Sequence, residues 1–243
     1  MNWIWASLAA LLFVQGATWA EEKIENFPGG HEGEKYRYEA VPIGGEADKK
    51  EWTEITLIDQ RRGVEYISKT VSPEDIEEIT IHLDREGRFI SGLRTTSSPQ
   101  NERIRQERVW SADHKAYVER GTGEEKKRKE HALPQDLPLA VDGSLLVLLR
   151  SFPFNESREW TVYMVDFSGY AIQVTVRQAG MEKIAVPAGE FECYRIEVVV
   201  DIPIFHPKVT YWLSARKPHF LVKHQGKKGP FIPSYVTSLV SME

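Results

Sequence analysis

The sequence predicts an all-β chain: a single strongly curled antiparallel sheet, a spiral β-roll or half-barrel, around one short central helix. Three observations carry this expectation. Apolar and polar residues alternate with period two over roughly fourteen short stretches, as they do in half-buried strands. Turns of hairpin length separate most of those stretches. One segment, Asp142–Pro153, breaks the pattern, because it is apolar at every position from Leu145 to Leu149. A helix apolar on all faces is buried on several sides, which in a strand-rich chain makes it a plug inside a curled sheet.

The alternation begins at Tyr36, Tyr38 and Ala40, after a polar lead containing Pro28-Gly29-Gly30, and Gly44-Gly45 then turns the chain. Glu54–Gln60 and Val64–Thr70 form a hairpin through Gln60-Arg61-Arg62-Gly63. Ile79, Ile81 and Leu83 mark the next strand, and Asp84-Arg85-Glu86-Gly87 connects it to Phe89–Thr96. Arg103–Ser111 turns at Ala112-Asp113-His114 into Lys115–Arg120. The mixed-charge run Glu124–Glu130 reads as a solvated hairpin arm, since its acids flank its bases and no aromatic is interleaved for base stacking.

Leu133–Leu139 leads into the helix, where Asp142 or Ser144 can cap the first amides, Arg150 complements the negative end of the dipole, and Pro153 forbids continuation. Trp160–Asp166 is apolar on both faces. Ser168-Gly169 turns it into Ala171–Gln178, and Met181–Val186, Phe191–Val200, Val209–Ser214, Phe220–Gln225 and Tyr235–Ser241 complete the strands.

The first twenty residues carry no charged side chain, Trp3–Val14 is an apolar run short of a bilayer span, and Thr18-Trp19-Ala20 places small residues before Glu21. This predicts a signal peptide over 1–20, cleaved after Ala20, and a single β-roll domain over 21–243. Cys193 is the only cysteine, so the expectation is an exported, periplasmic protein that is neither disulfide-stapled nor lipidated at its N-terminus. No later run reaches the roughly 18 apolar residues of a membrane span. A net charge of −5 argues against nucleic acid as a partner. The charge is uneven: residues 21–60 hold eleven acidic and five basic side chains, whereas 206–243 hold six basic ones against Glu243. Lys217, Lys223, Lys227 and Lys228 therefore form a candidate docking rim.

The run Ile184-Ala185-Val186-Pro187-Ala188-Gly189-Glu190-Phe191-Glu192-Cys193-Tyr194-Arg195-Ile196-Glu197 resembles the strand, Pro-Ala-Gly turn and strand of a periplasmic domain-of-unknown-function family with a spiral β-roll, distantly similar in shape to outer-membrane lipoprotein carriers. Asp142–Phe152 resembles that family's aspartate, leucine-rich helix and arginine. Val209–Ser214, followed by Pro218, Leu221, Val222 and Lys223, resembles its closing strands. The likeness spans roughly 142–226. It implies a cell-envelope location, a curled sheet with a central helix, and binding of an apolar or amphipathic molecule, and it implies no catalytic residues. The chain departs from the pattern at Ala215-Arg216-Lys217, basic where the family often has an aspartate.

Motifs of chemistry are sparse. The histidines His31, His82, His114, His131, His206, His219 and His224 form no metal-binding spacing, and surface roles are expected for them. Cys193 has no activating motif and reads as an inert thiol. No nucleophile elbow, phosphate loop or dinucleotide fingerprint is present. Asp59, Asp166 and Asp201 are carboxylates that sequence cannot bring together. Neither a cofactor nor a metal is called for.

The second half is rich in aromatic residues beyond what one short helix can cover, and small barrels use such a surplus to line a cavity. The reading is therefore a non-enzymatic envelope protein that holds a lipid or other apolar small molecule, or a segment of an envelope partner protein, against Leu145, Leu149, Trp160, Tyr163, Phe191, Tyr211 and Trp212. The alternatives are an interaction module with a filled core and a working basic rim, and a hydrolase built on unaligned carboxylates or histidines.

Overall fold

In the strand Glu34–Pro42 the side chains of Tyr36, Tyr38 and Ala40 are buried while those between them are more exposed, and the same alternation sets the inner face of the strands that follow. The computed structural model describes residues 33–44, 49–98, 101–121, 126–154, 156, 159–200, 207–227 and 234–243. The expected signal peptide lies outside them. The described chain forms fifteen strands and one helix: β1 Glu34–Pro42, β2 Glu51–Gln60, β3 Gly63–Val71, β4 Ile76–Leu83, β5 Phe89–Ser98, β6 Asn101–Ala112, β7 Lys115–Gly121, β8 Lys127–Ala132, β9 Leu139–Ala140, α1 Ser144–Leu149, β10 Glu159–Val165, β11 Ala171–Val186, β12 Gly189–Val200, β13 Lys208–Ser214, β14 Leu221–Lys227 and β15 Ser234–Met242.

All fifteen strands belong to one sheet, ordered β8-β7-β6-β5-β4-β3-β2-β1-β15-β14-β13-β12-β11-β10-β9. The first eight strands meander outward from β1, the chain then passes to the opposite edge, and β10 to β15 meander back to pair with β1. Every pair is antiparallel except β9 with β10. The two edges stay unpaired with each other, so the sheet curls without closing into a barrel. One core joins residues from β1 through β15 with the helix, and a single sheet achieves this only by wrapping its inner face around that core.

Two pieces of chain cross the roll. The helix sits against β3, where any side chain at Gly143 would run into the Tyr66 ring. The β10–β11 turn drives Phe167, fully buried, against Gly92 of β5, where a Cβ would lie 3.1 Å from its ring. The far edge closes over the same turn: Arg120 donates to the Ser168 carbonyl at 3.2 Å, and Lys129 donates to the Gly169 carbonyl and lies over the Tyr170 ring.

The helix is shorter than its apolar run suggests. It covers six residues, has no side-chain cap, and buries Leu145, Val147 and Leu149 while leaving Leu146 and Leu148 partly exposed. Ser144 Oγ accepts from the Val141 amide instead of capping. Arg150 reaches away from the helix end, donating to Glu34 at 2.7 Å and lying over the Tyr36 ring. The stretches Ala171–Gln178 and Met181–Val186 are one strand, bent by a bulge between Gln178 and Gly180. Past that bend the β11–β12 hairpin folds back, and its Ala188 amide donates to the Leu239 carbonyl of β15.

Candidate functional site

Register places the inner face of the sheet in rows. One row runs Tyr36, Ile55, Ser68, Ile79, Arg94, Glu107, Arg120 across β1 to β7. The next, two residues nearer one end of the roll, runs Tyr38, Thr53, Thr70, Glu77, Thr96, Arg105. From β2 onward this second row is polar. At the same end on the other half, Ile196, Tyr211, His224, Thr237 and Ala40 form a row across β12, β13, β14, β15 and β1. Beside it stand inward-facing Met164, Ile172, Val200 and Val209 of β10 to β13.

These side chains are only partly buried although they point into the roll: Thr53, Thr70, Glu77, Arg94, Thr96, Met164, Ile172, Val200, Val209, Tyr211, His224 and Thr237 all retain intermediate exposure. Inward groups can be reached by solvent only through the interior. Among the described residues this end is therefore the less tightly packed one, a mouth with two unlike walls, hydroxyl-bearing and charged on β2 to β6, apolar on β10 to β13. Toward the other end the interior is sealed by Leu57, Ile81, Leu83, Phe89, Val109, Val118 and Trp160.

The charged wall is knit around Glu107, which is wholly buried. Arg94 donates to it at 2.6 Å and Arg120 at 3.0 Å, with Arg105 at 3.6 Å. Burial alone would raise the pKa of Glu107, but these guanidiniums hold it below the usual carboxylate range. Asp142 reaches the same region from the loop before the helix. Its carboxylate accepts the Phe167 amide, yet Oδ2 is buried with no partner. Burial pushes Asp142 up to about 6, nearby Asp166 and Glu77 add to the rise, and Arg94 opposes it. Burial likewise raises Tyr66 to about 12 and Tyr211 further, with the Asp142 charge contributing to both. Thr96 Oγ1 is a second buried oxygen without a partner.

The residues expected to bind a ligand are dispersed. Leu145, Leu149 and Trp160 are sealed in the core, Trp160 against Phe152 with ring centroids 4.8 Å apart. Phe191 meets Phe220 edge-on near the β11–β12 turn. Tyr163 is half-buried opposite Leu139 on the edge strand. Tyr211 faces the mouth, stacked at 4.8 Å on His224, whereas Trp212 takes the opposite face of β13 and donates to Glu182 at 2.7 Å. Of the basic rim, Lys217 is exposed and Lys223 lies over the Trp212 ring at 5.0 Å. Lys227 contributes its backbone to β14, and Lys228 lies outside the described residues.

Two surface histidine expectations are corrected. His219 is half-buried against the stacked pair Phe154 and Tyr194, bonded through Nδ1 to the Ser214 carbonyl, and burial lowers its pKa. His224 points into the mouth. Cys193 is fully buried, and burial pushes its thiol up to about 12. Asp59 is exposed on β2, Asp166 lies in the β10–β11 turn, and Asp201 is outside the described residues. Among the described residues no group of three or more His, Cys, Asp or Glu is placed to hold a metal ion, and no helix is long and apolar enough to cross a membrane. Thr96 and the polar row were not singled out from the sequence, and Asp142 was read there as the aspartate of the family resemblance without a site role. From the residues themselves Asp142 was read as a helix cap.

On the outer face, a shallow groove of about 380 Å³ lies over Arg37, Trp52, Glu54, Lys69 and Val71, with Trp52 and Val71 both more than two-fifths exposed. It contains ion-paired Glu54 and Lys69 but no orphaned polar group.

No family model matches the chain, and no curated protein matches it. Among solved structures, a putative lipoprotein from Parabacteroides distasonis ATCC 8503 is similar with a TM-score of 0.37 at 12% identity, covering 87% of this chain and 95% of that one. A putative exported protein with YmcC-like fold from Bacteroides fragilis NCTC 9343 is similar with a TM-score of 0.31 at 10% identity, covering 87% and 96%. Both likenesses are distant, and no conclusion about function rests on them.

Proposed function

We propose that this chain is an exported, non-catalytic envelope protein whose β-roll holds an amphipathic molecule in its mouth. The observation that supports the reading is the pair of unlike, partly exposed inner walls. An acyl chain fits the side of Met164, Ile172, Val200 and Val209, where each buried methylene contributes about 0.8 kcal/mol. A polar group then faces the wall of Thr53, Thr70, Glu77, Arg94 and Thr96. Sites of this composition, mostly apolar with a few convergent polar groups, suit small amphipathic ligands. The sealed end of the roll gives the molecule a floor, and the uncharged N-terminal stretch supports delivery to the envelope.

Native mass spectrometry of the protein lacking residues 1–20, before and after organic extraction, tests this directly. A retained mass of several hundred daltons that extraction removes and added lipid restores is the expected result. A single unliganded mass that no added acyl compound shifts overturns the reading and leaves a structural module in its place.

A further inference from the structure

The acyl-binding reading does not use Asp142, the feature of the mouth with the least structural explanation. Its carboxylate is tucked between the helix and the β10–β11 turn with Oδ2 buried, and φ at this residue is 36°, in the left-handed region that Asp and Asn enter more readily than most side-chain-bearing residues. The fold thus aims the side chain inward rather than to the surface. One oxygen receives the Phe167 amide, while the buried Oδ2 receives nothing. Thr96 Oγ1 on β5 is likewise buried without a partner. A buried acceptor without a donor costs roughly 1–3 kcal/mol, more when charged, and a bound donor removes that cost.

We propose that Asp142 anchors the polar head of the bound molecule, and that this head is a hydrogen-bond donor, a hydroxyl or an ammonium, rather than a carboxylate or phosphate. The inference rests on the amphipath reading above. The charges around Asp142 support the choice of head. Glu77 of β4, Asp166 of the β10–β11 turn and Arg94 of β5 act on it, its charge is felt at Tyr66 of β3 and Tyr211 of β13, and the Tyr66 ring packs against the next residue, Gly143. Arg94, the cation among these, already donates to Glu107 at 2.6 Å and lies 3.8 Å from Glu77. An incoming anion meets Asp142, Glu77 and Asp166 together with two guanidiniums, Arg94 and, from the polar row, Arg105, that are both engaged with Glu107. A donor meets a buried carboxylate oxygen that has no hydrogen-bond partner.

The test compares three ligands sharing one fourteen-carbon chain, titrated below their aggregation concentrations at pH 7.5: a monoacylglycerol, an alkylammonium and a fatty acid. At least one donor head is expected to bind about tenfold or more tightly than the fatty acid, the equivalent of about 1.4 kcal/mol. In Asp142→Asn the alkylammonium advantage should fall at least about tenfold, since a charged hydrogen bond contributes roughly 1.5–3 kcal/mol. Asparagine tolerates the left-handed backbone, so this variant keeps the loop, and thermal unfolding checks that it does. Should the variant fail to fold, the head-group order in the unaltered protein still decides. Fatty acid binding as tightly as both donors, or an unchanged alkylammonium advantage in a folded variant, overturns the assignment of Asp142 while leaving the amphipath reading intact. Failure of all three ligands to bind overturns both.

Discussion

Asp142 carries an acid whose proton affinity is raised by folding, and that has a signed consequence for stability. Its ordinary pKa near 3.8 rises to about 6, so between those values the folded chain binds the proton that the unfolded chain releases. This group's contribution to stability is therefore largest below pH 4, falls as pH rises through 4 to 6, and stays unfavourable above. The two-unit difference is worth up to about 3 kcal/mol at neutral pH. Asp142→Asn should be more stable than the parent at pH 7.5 by up to that amount and should lose the advantage by pH 4, as urea unfolding across the range will show. Carboxylates held low by partners, such as Glu107, tilt both proteins the opposite way, so the difference between the two curves is the diagnostic quantity. A second residue is constrained by backbone alone. Gly189 sits at φ 130° with open space around it, its nearest side-chain atom 4.0 Å from where a Cβ would lie. Gly189→Val should cost more than about 1 kcal/mol through strain, and Gly189→Ala most of the same, because the Cβ itself is the obstacle. An unshifted urea midpoint in both would contradict that account.

At the scale of elements, α1 separates what its sequence says from what its surroundings do. Leu149 is fully buried while Leu148, its neighbour on the helix, is partly exposed. Leu149→Asp should destabilise by at least about 4 kcal/mol and abolish the near-ultraviolet circular dichroism signal, and Leu148→Asp should be markedly milder. Equal effects would mean that the helix is enclosed on all sides after all. The apolar run read in isolation predicted such enclosure, because periodicity records which side chains are apolar and not which of them meet a partner. Tyr36, Tyr38, Ile55, Leu57, Ile79, Ile81 and the Pro187-Ala188 turn were legible for the opposite reason: each reflects a local rule, alternation or turn chemistry, that the fold respects. The hydrogen-bonded partners of His219, the continuity of β11 through its bulge, and the polar row were not legible. Thr53, Thr70, Glu77 and Thr96 are unremarkable in their own strands and become a wall only when register lines them up. Tyr211 was picked out for its aromatic ring alone. What gives it a place in the mouth is register, which lines it up with Ile196 of β12 and His224 of β14.

Across the whole molecule, the mouth sits where two meanders of one sheet face each other, one supplying hydroxyls and charges and the other aliphatic side chains. That division sets how affinity should respond to ligand and solvent. If Met164, Ile172, Val200 and Val209 hold an acyl chain, shortening the chain by four carbons removes about 3 kcal/mol and weakens binding by roughly two orders of magnitude. A micromolar ligand, at about 8 kcal/mol, would then draw much of its affinity from methylenes. The charges of the opposite wall are largely paired within the protein, Glu107 with Arg94 and Arg120, so they offer little screenable attraction. Raising salt from 50 to 500 mM should shift the affinity of an uncharged monoacylglycerol by less than about twofold, since interactions of buried, paired charges are screened far less than exposed ones. Val200→Asp places a carboxylate on the apolar wall and should weaken every chain length, while Lys217→Glu on the exposed β13–β14 connection should leave all of them unchanged. The reverse outcome, steep salt dependence with indifference to chain length and sensitivity to Lys217→Glu, would move the ligand out of the roll and onto the basic surface.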